Sequence, residues 1–289
     1  MEIFQKIPIL IFFFFMAIGA YILVYLLKNR FSQERYINLC ERIKTWLIII
    51  VIFYLGSINR VFMLILFAVI SYLSVMEFFK LFDIEITSEM KILSILIIGS
   101  NYLIIYRNML YVFYFFIPCM TAAVNIFVER KKETAVSFFL SIYLISFIAY
   151  LVNIKSGISL IVGYVILIEL NDVYQYITGN IFGKRKIVPR ISPSKTLEGV
   201  IGGVVLTTVT ILFFNTVYGY KLGIWWMGPI ISIFGFLGDI LISYFKRKAN
   251  KKDSGTILAG HGGILDRVDS LILNSPVILL ITLHLHILN

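Results

Sequence analysis

Apolar blocks about as long as the 20 residues that cross a bilayer core recur along this chain, and the strict alternation of a barrel strand is absent. Ten spans are predicted, at 7–27, 45–59, 61–79, 92–106, 109–128, 135–152, 157–178, 197–217, 224–245 and 271–288. They read as helices because each backbone polar group in lipid has to be paired inside its own span. The second is short and meets the third at Asn59–Arg60. The first is too long for a signal-peptide core and no cleavage site follows it, so it is expected to remain as a helix. The expected fold is an all-α polytopic bundle, divided into N-terminal spans (1–152) and a C-terminal region with the polar motifs (153–289).

Charge tests that count. If successive spans alternate sides, the loops at 28–44, 80–91, 130–132, 184–195 and 246–267 share one face and hold five, two, three, five and six Lys or Arg. That is 21 of the chain's 26 basic residues; the opposite face keeps Lys6, Arg60, Arg107, Lys155 and Lys221. By the positive-inside rule the rich face is cytoplasmic and both termini lie outside, as in a multi-pass protein of the cell inner membrane. Composition agrees: 60% hydrophobic residues and a mean hydropathy of +0.92 exceed what a soluble domain can cover. The net charge of +10 is therefore a topology signal, and no aromatic-interleaved basic module points to nucleic acid. Cys40 and Cys119 form no framework, while His284 and His286 read as packing or interfacial residues.

The chemistry concentrates in the second half. In the first, the intramembrane acid Glu77 is expected to pair with Lys80 at i+3. Glu169, Asp172 and Tyr176 share a helix face near the end of the seventh span; Glu169 fits a snorkelling pair as well as a functional role. Ser192 followed by Pro193 reads as an N-cap with proline at N1, which would set Ser194, Lys195 and Thr196 beside free N–H groups suited to phosphate. Gly199, Gly202 and Gly203 read as close helix packing. Asp239, Ser243 and Lys246 form an i, i+4, i+7 stripe inside an apolar run. A basic loop, the turn Gly260-His261-Gly262-Gly263, then Asp266 and Asp269 at i, i+3 complete the set, with Arg267 available to neutralise one of them. Carboxylates and basic groups on one face, with no zinc cluster, no Ser-His-Asp arrangement and no P-loop, favour Mg²⁺-assisted phosphoryl or nucleotidyl transfer at the membrane surface.

Three blocks together resemble the phosphatidate cytidylyltransferase (CDP-diacylglycerol synthase) family. They are Phe182-Gly183-Lys184 with Ser192-Pro-Ser-Lys195-Thr196-x-Glu198-Gly199-x-x-Gly202-Gly203, then Gly238-Asp239-x-x-x-Ser243, then Lys246-Arg247 through Asp253-x-Gly255 to His261-Gly-Gly-x-x-Asp266-Arg267-x-Asp269-Ser270. The resemblance covers about a third of the chain, roughly 169–270. Ala259 stands where many members have proline, and Asn171-Asp172 where many have Asp-Ser/Thr-Gly.

The resemblance implies an enzyme that makes CDP-diacylglycerol and pyrophosphate from CTP and phosphatidic acid. It implies that Asp239 and Asp266 hold one or two Mg²⁺ ions with Asp269 or Asp172 assisting, with a monovalent cation as an option. Lys195, Lys246, Arg247 and Arg267 would bind the phosphates; Ser192, Ser194, Thr196, Ser243, His261, Gly262 and Gly263 would line the substrates. A homodimer is compatible with it. The rivals are a paralogue acting on another lipid phosphate, a CTP-dependent lipid or prenol kinase, and a secondary transporter.

Overall fold

The computed structural model describes residues 18, 21, 22, 25, 33–127, 131–218, 225–255 and 262–287. Among these, nine helices follow one another: α1 (Gln33–Gly56), α2 (Arg60–Leu81), α3 (Ser88–Tyr106), α4 (Leu110–Phe127), α5, α6 (Gly157–Phe182), α7 (Leu197–Tyr218), α8 (Met227–Lys248) and α9 (Leu265–Ile287). α5 runs through Lys131–Phe138, a π-helical turn Phe139–Leu144, Ile145–Ala149 and a 3₁₀ turn Tyr150–Asn153. Helix boundaries follow local chemistry. Asn59 caps α2 by accepting from Val61 N (2.9 Å) and Phe62 N (3.0 Å), which places the α1–α2 break where the sequence put it.

The protein is an all-α, polytopic membrane protein. Seven described helices are long and apolar enough to span: Arg60–Leu81, Ser88–Tyr106, Glu133–Asn153, Gly157–Phe182, Leu197–Val217, Met227–Lys248 and Leu265–His284. The other three expected spans do not join them. The 7–27 block lies almost wholly outside the described residues. The 45–59 block is the apolar end, Leu47–Gly56, of α1, whose first half carries Glu34, Arg35, Glu41, Arg42 and Lys44 and so cannot sit in lipid. The 109–128 block forms α4, of which Leu110–Met120 is apolar but shorter than a span, with Pro118 inside.

α5 passes through the centre: 89% of its apolar stretch is buried, against 22% for α7, which lies at the edge of the bundle. Buried Ser137, Ser141 and Ser146 keep α5 slim enough for close neighbours. Around it Phe67, Phe78 and Phe79 of α2, Ile105 of α3, Phe113 of α4 and Ile272 of α9 are fully or almost fully buried. In the second half α6 packs along α7, and α8 packs against both α7 and α9.

Three of the five loops assigned to one face by their charge, 80–91, 184–195 and 246–267, meet at one end of the bundle. Lys251 Nζ reaches Asp83 Oδ1 (2.8 Å) and the Lys80 carbonyl (2.7 Å), Arg247 Nε donates to the Ile191 carbonyl (3.2 Å), and Lys248 Nζ lies 3.7 Å from Glu133 Oε1. The ends of α2, α6 and α8 and the starts of α5, α7 and α9 are thereby gathered together.

Candidate active site

The site is built where α6, α7, α8 and α9 meet at that end. α7 lies tightly on α6 because its facing positions are glycines; a Cβ on Gly202 would fall 2.5 Å from Thr178 Cβ. The reading of these glycines as packing residues is thus borne out in the geometry. Between the two helices the chain folds back on itself: Lys186 and Thr196 form an antiparallel bridge, and Glu198 Oε2 accepts from Lys184 N (2.9 Å) and Arg185 N (3.1 Å).

That bridge corrects the expected helix start. Because Thr196 is held extended against Lys186, α7 cannot begin before Leu197, and Thr196 Oγ1 is the cap, accepting from Gly199 N (3.1 Å). Ser192 instead closes a turn, with its N–H on the Val188 carbonyl (2.9 Å) and its carbonyl accepting from Lys195 N (3.3 Å). Ser194, Lys195 and Thr196 line a small pocket with Gln175, Asn180 and Gly199.

Lys195 leaves this hairpin pointing into the bundle. Its Nζ sits 2.5 Å from Asp239 Oδ2, both side chains 19% exposed, and it also feels the charges of Asp172 and Asp269. Burial alone would pull its pKa down, but these three carboxylates outweigh it and hold the proton above the ordinary lysine range. Asp239 Oδ1 accepts from Ser243 Oγ (3.2 Å), so the i, i+4 part of the α8 stripe is formed as expected. Gly238 lets α8 approach α9: a Cβ there would run into the Asp269 carbonyl.

On α9, Ser270 Oγ donates to Asp172 Oδ2 (2.7 Å), Ser270 N to Asp269 Oδ1 (2.7 Å), and Asp269 lies within electrostatic reach of Asp239 and Asp172. Arg267 faces Glu169 and Asp172 electrostatically rather than only its neighbours on α9. Asp266 stands in a different setting. Lys246 Nζ is 2.7 Å from its Oδ1, while Oδ2 accepts from Ser254 N (2.9 Å), Ser254 Oγ (2.9 Å) and Gly263 N (3.1 Å). Gly262, at φ +79°, makes the turn that delivers Gly263 N to this carboxylate. Arg247 binds backbone, the carbonyls of Ile191 and Lys251. His261 lies outside the described residues.

The proposed carboxylates therefore form two neighbouring groups, Asp172, Asp239 and Asp269 around Lys195, and Asp266 with Lys246. Among the described residues, no three His, Cys, Asp or Glu side chains close on one point as a finished metal site would. Asp172 Oδ1 is buried without a hydrogen bond, an open acceptor in an acid-rich cluster.

One residue at this end was misassigned from sequence. Glu77, 1% exposed, does not pair with Lys80; it accepts from Ile264 N, Leu265 N and Ser254 Oγ, far along the chain. Its signal in the sequence was that of a lone acid in an apolar run.

Comparison with known proteins bears on the same residues. A model of the family described as "Cytidylyltransferase family" matches residues 40–285. The "Uncharacterized protein YnbB" of Escherichia coli K12 is 34% identical over 260 residues, 82% of this chain and 84% of that protein. A "Phosphatidate cytidylyltransferase" of Staphylococcus haemolyticus is 40% identical over 137 residues, 46% of this chain and 53% of that protein. The namesake from Staphylococcus saprophyticus is 40% identical over 133 residues, again about half of each chain (45% and 51%).

Proposed function

The chain belongs to the cytidylyltransferase family, and from that premise we propose that it transfers the cytidylyl group of CTP to phosphatidic acid, giving CDP-diacylglycerol and pyrophosphate. The observation that carries the reading is Lys195, partly buried among Asp239, Asp172 and Asp269 at the end of a basic loop, where an apolar bundle meets water. A soluble nucleotide and a membrane-embedded lipid phosphate can both reach such a boundary. The excess of basic residues at this end supports a cytoplasmic position for it.

A phosphate monoester is already anionic near neutral pH, so the attack needs no general base. What the protein has to supply is in-line positioning and neutralisation of charge. An oxygen of the lipid phosphate forms its bond to the α-phosphorus of CTP as the α–β bridging bond breaks, and pyrophosphate leaves with the electron pair. Lys195, Lys246, Arg247 and Arg267 bind and orient the phosphates in this reading, and Ser194 and Thr196 line the pocket beside Lys195.

In this reading one or two Mg²⁺ ions would sit among the carboxylates; Asp172 Oδ1, a buried oxygen without a hydrogen bond, supports it, since oxygen donors suit that ion. Asp172, Asp239 and Asp269 would hold it, and Asp266 would contribute Oδ1, the oxygen that now faces Lys246. When bound, Mg²⁺ supplies charge neutralisation at the phosphoryl oxygens.

A second acceptor, another lipid phosphate, is the alternative. It is favoured by one fact: the staphylococcal phosphatidate cytidylyltransferases match only about half of this chain. Both readings meet one test. Detergent-solubilised protein is incubated with Mg²⁺, CTP labelled at the α-phosphate and either phosphatidic acid or other lipid phosphates. Label in the lipid fraction with pyrophosphate release is expected for phosphatidic acid. Label only with another acceptor would select the paralogue, and release of CDP would replace cytidylyl transfer by a kinase reaction.

A further inference from the structure

The start of α9 carries Asp266, Arg267 and Asp269, yet among the described residues its capping position supplies no side-chain acceptor. Ile264 occupies the capping position, its carbonyl accepting from Val268 N (3.2 Å), and an isoleucine side chain cannot accept a hydrogen bond. The missing acceptor comes from α2. Glu77 Oε1 accepts from Ile264 N (2.9 Å), and Oε2 from Leu265 N (2.8 Å) and Ser254 Oγ (3.2 Å).

The surroundings are shaped to this carboxylate. A Cβ on Gly255 would lie 2.9 Å from Glu77 Oε1, and one on Gly263 2.7 Å from its Cδ, so both motif glycines leave room for it. Ser254 Oγ is also 2.9 Å from Asp266 Oδ2, so its single proton is shared between the two carboxylates and joins the Glu77 seat directly to the Asp266–Lys246 pair. A negative charge at a helix N-terminus is stabilised by the orphan N–H groups and the helix dipole, and here that offsets burial of the acid.

We propose that Glu77 is a positioning residue for the reaction: from the N-terminal half it fixes the first turn of α9, and so the placement of Asp266 and Asp269. The proposal rests on the cytidylyltransferase reading for its kinetic part alone. Glu77→Gln keeps the shape but turns an amide N–H₂ toward donors that need an acceptor.

The test uses the full chain in detergent. Hydrogen exchange of the peptide covering 262–270 should become about tenfold faster or more in Glu77→Gln, the factor expected when a charge-assisted hydrogen bond of about 1.5–3 kcal/mol is lost. kcat for lipid labelling should fall about 10- to 100-fold, the scale on which small misplacements act. Half-saturating Mg²⁺ should rise several-fold, while KM for CTP changes less than kcat. Should Glu77→Gln aggregate, Ser254→Ala, which removes one of the three donors, is expected to move exchange and Mg²⁺ requirement in the same direction.

Unchanged exchange at 262–270 in whichever variant folds overturns the proposal, as does a kcat and Mg²⁺ dependence within twofold of the unsubstituted protein. If the unsubstituted protein labels no lipid, the cytidylyltransferase reading fails by itself, and the exchange measurement still decides the role of Glu77.

Discussion

Replacing Lys195 with methionine removes the ammonium from Asp239 while keeping most of the side-chain volume. At 2.5 Å and an effective dielectric of about 20, the direct attraction is about 7 kcal/mol. The net cost is smaller, because burying the ions already took a desolvation penalty, and breaking one side of a buried pair costs about 3–5 kcal/mol. Asp172 and Asp269 lose the same counter-charge, which argues for the upper part of that range.

Thermal unfolding in detergent should then drop by roughly 6–20 °C on the scale of soluble domains. Lys184→Met, an exposed lysine of the same loop, should leave the midpoint unchanged. Added Mg²⁺ should stabilise Lys195→Met more than the unsubstituted protein, since a cation there meets carboxylates without their lysine. A midpoint shift below about 2 °C would refute the energetic reasoning. An equal response to Mg²⁺ in both proteins would refute the assignment of these carboxylates to a cation.

If the proposed transfer is right, Asp239→Asn should lower lipid labelling about 100-fold or more, measured with α-labelled CTP on protein still folded below its lowered unfolding midpoint, because neutralising charge would be the main contribution to that reaction. The proton of Lys195 is held above the ordinary lysine range, so the pair's stabilisation is fully present below about pH 10 and lost as pH rises through the folded pKa. The difference in unfolding midpoint between the unsubstituted protein and Lys195→Met should therefore stay flat from pH 7 to 9; a steady loss over that window would contradict the buried pair. Gly202→Val should destabilise by about 1–3 kcal/mol through collision with Thr178, whereas Gly99→Ala, with no atom within 4 Å of the added methyl, should be silent in the same thermal assay.

Properties that repeat along the chain were legible in its sequence. Apolar block length located the seven described spans, and the spacing of basic residues placed the loops at 80–91, 184–195 and 246–267 at one end before any contact was known. The Asp239–Ser243 step was readable because i and i+4 on a helix are neighbours by geometry.

Contacts between distant segments were not legible. Periodicity says which residues share a face, not which helix that face meets, so Lys195 on Asp239 and Ser270 on Asp172 emerge only from the fold. Local rules also misled in two places. Ser192–Pro193 has the form of a helix start, but the Lys186–Thr196 bridge postpones α7 to Leu197. Glu77 has a lysine at i+3, but two backbone N–H groups at the start of α9 take it instead, one buried (Leu265) and one part-buried (Ile264), with no other acceptor among the described residues.

α9 follows every other described helix in chain order, and it rests against α8, α6, α2 and the Ile145–Ala149 part of α5. It also delivers Asp266, Arg267 and Asp269. A ribosome releasing this chain into a membrane therefore makes Asp266 and Asp269 after Asp172 and Asp239, the acids within electrostatic reach of Asp269. Until α9 takes its place among these helices, Glu77 lacks the Ile264 and Leu265 N–H groups and Asp172 lacks the Ser270 hydroxyl. Insertion of α9 then brings Asp266 and Asp269 to the acids of α6 and α8, so a stop shortly before residue 265 is expected to leave the candidate site incomplete.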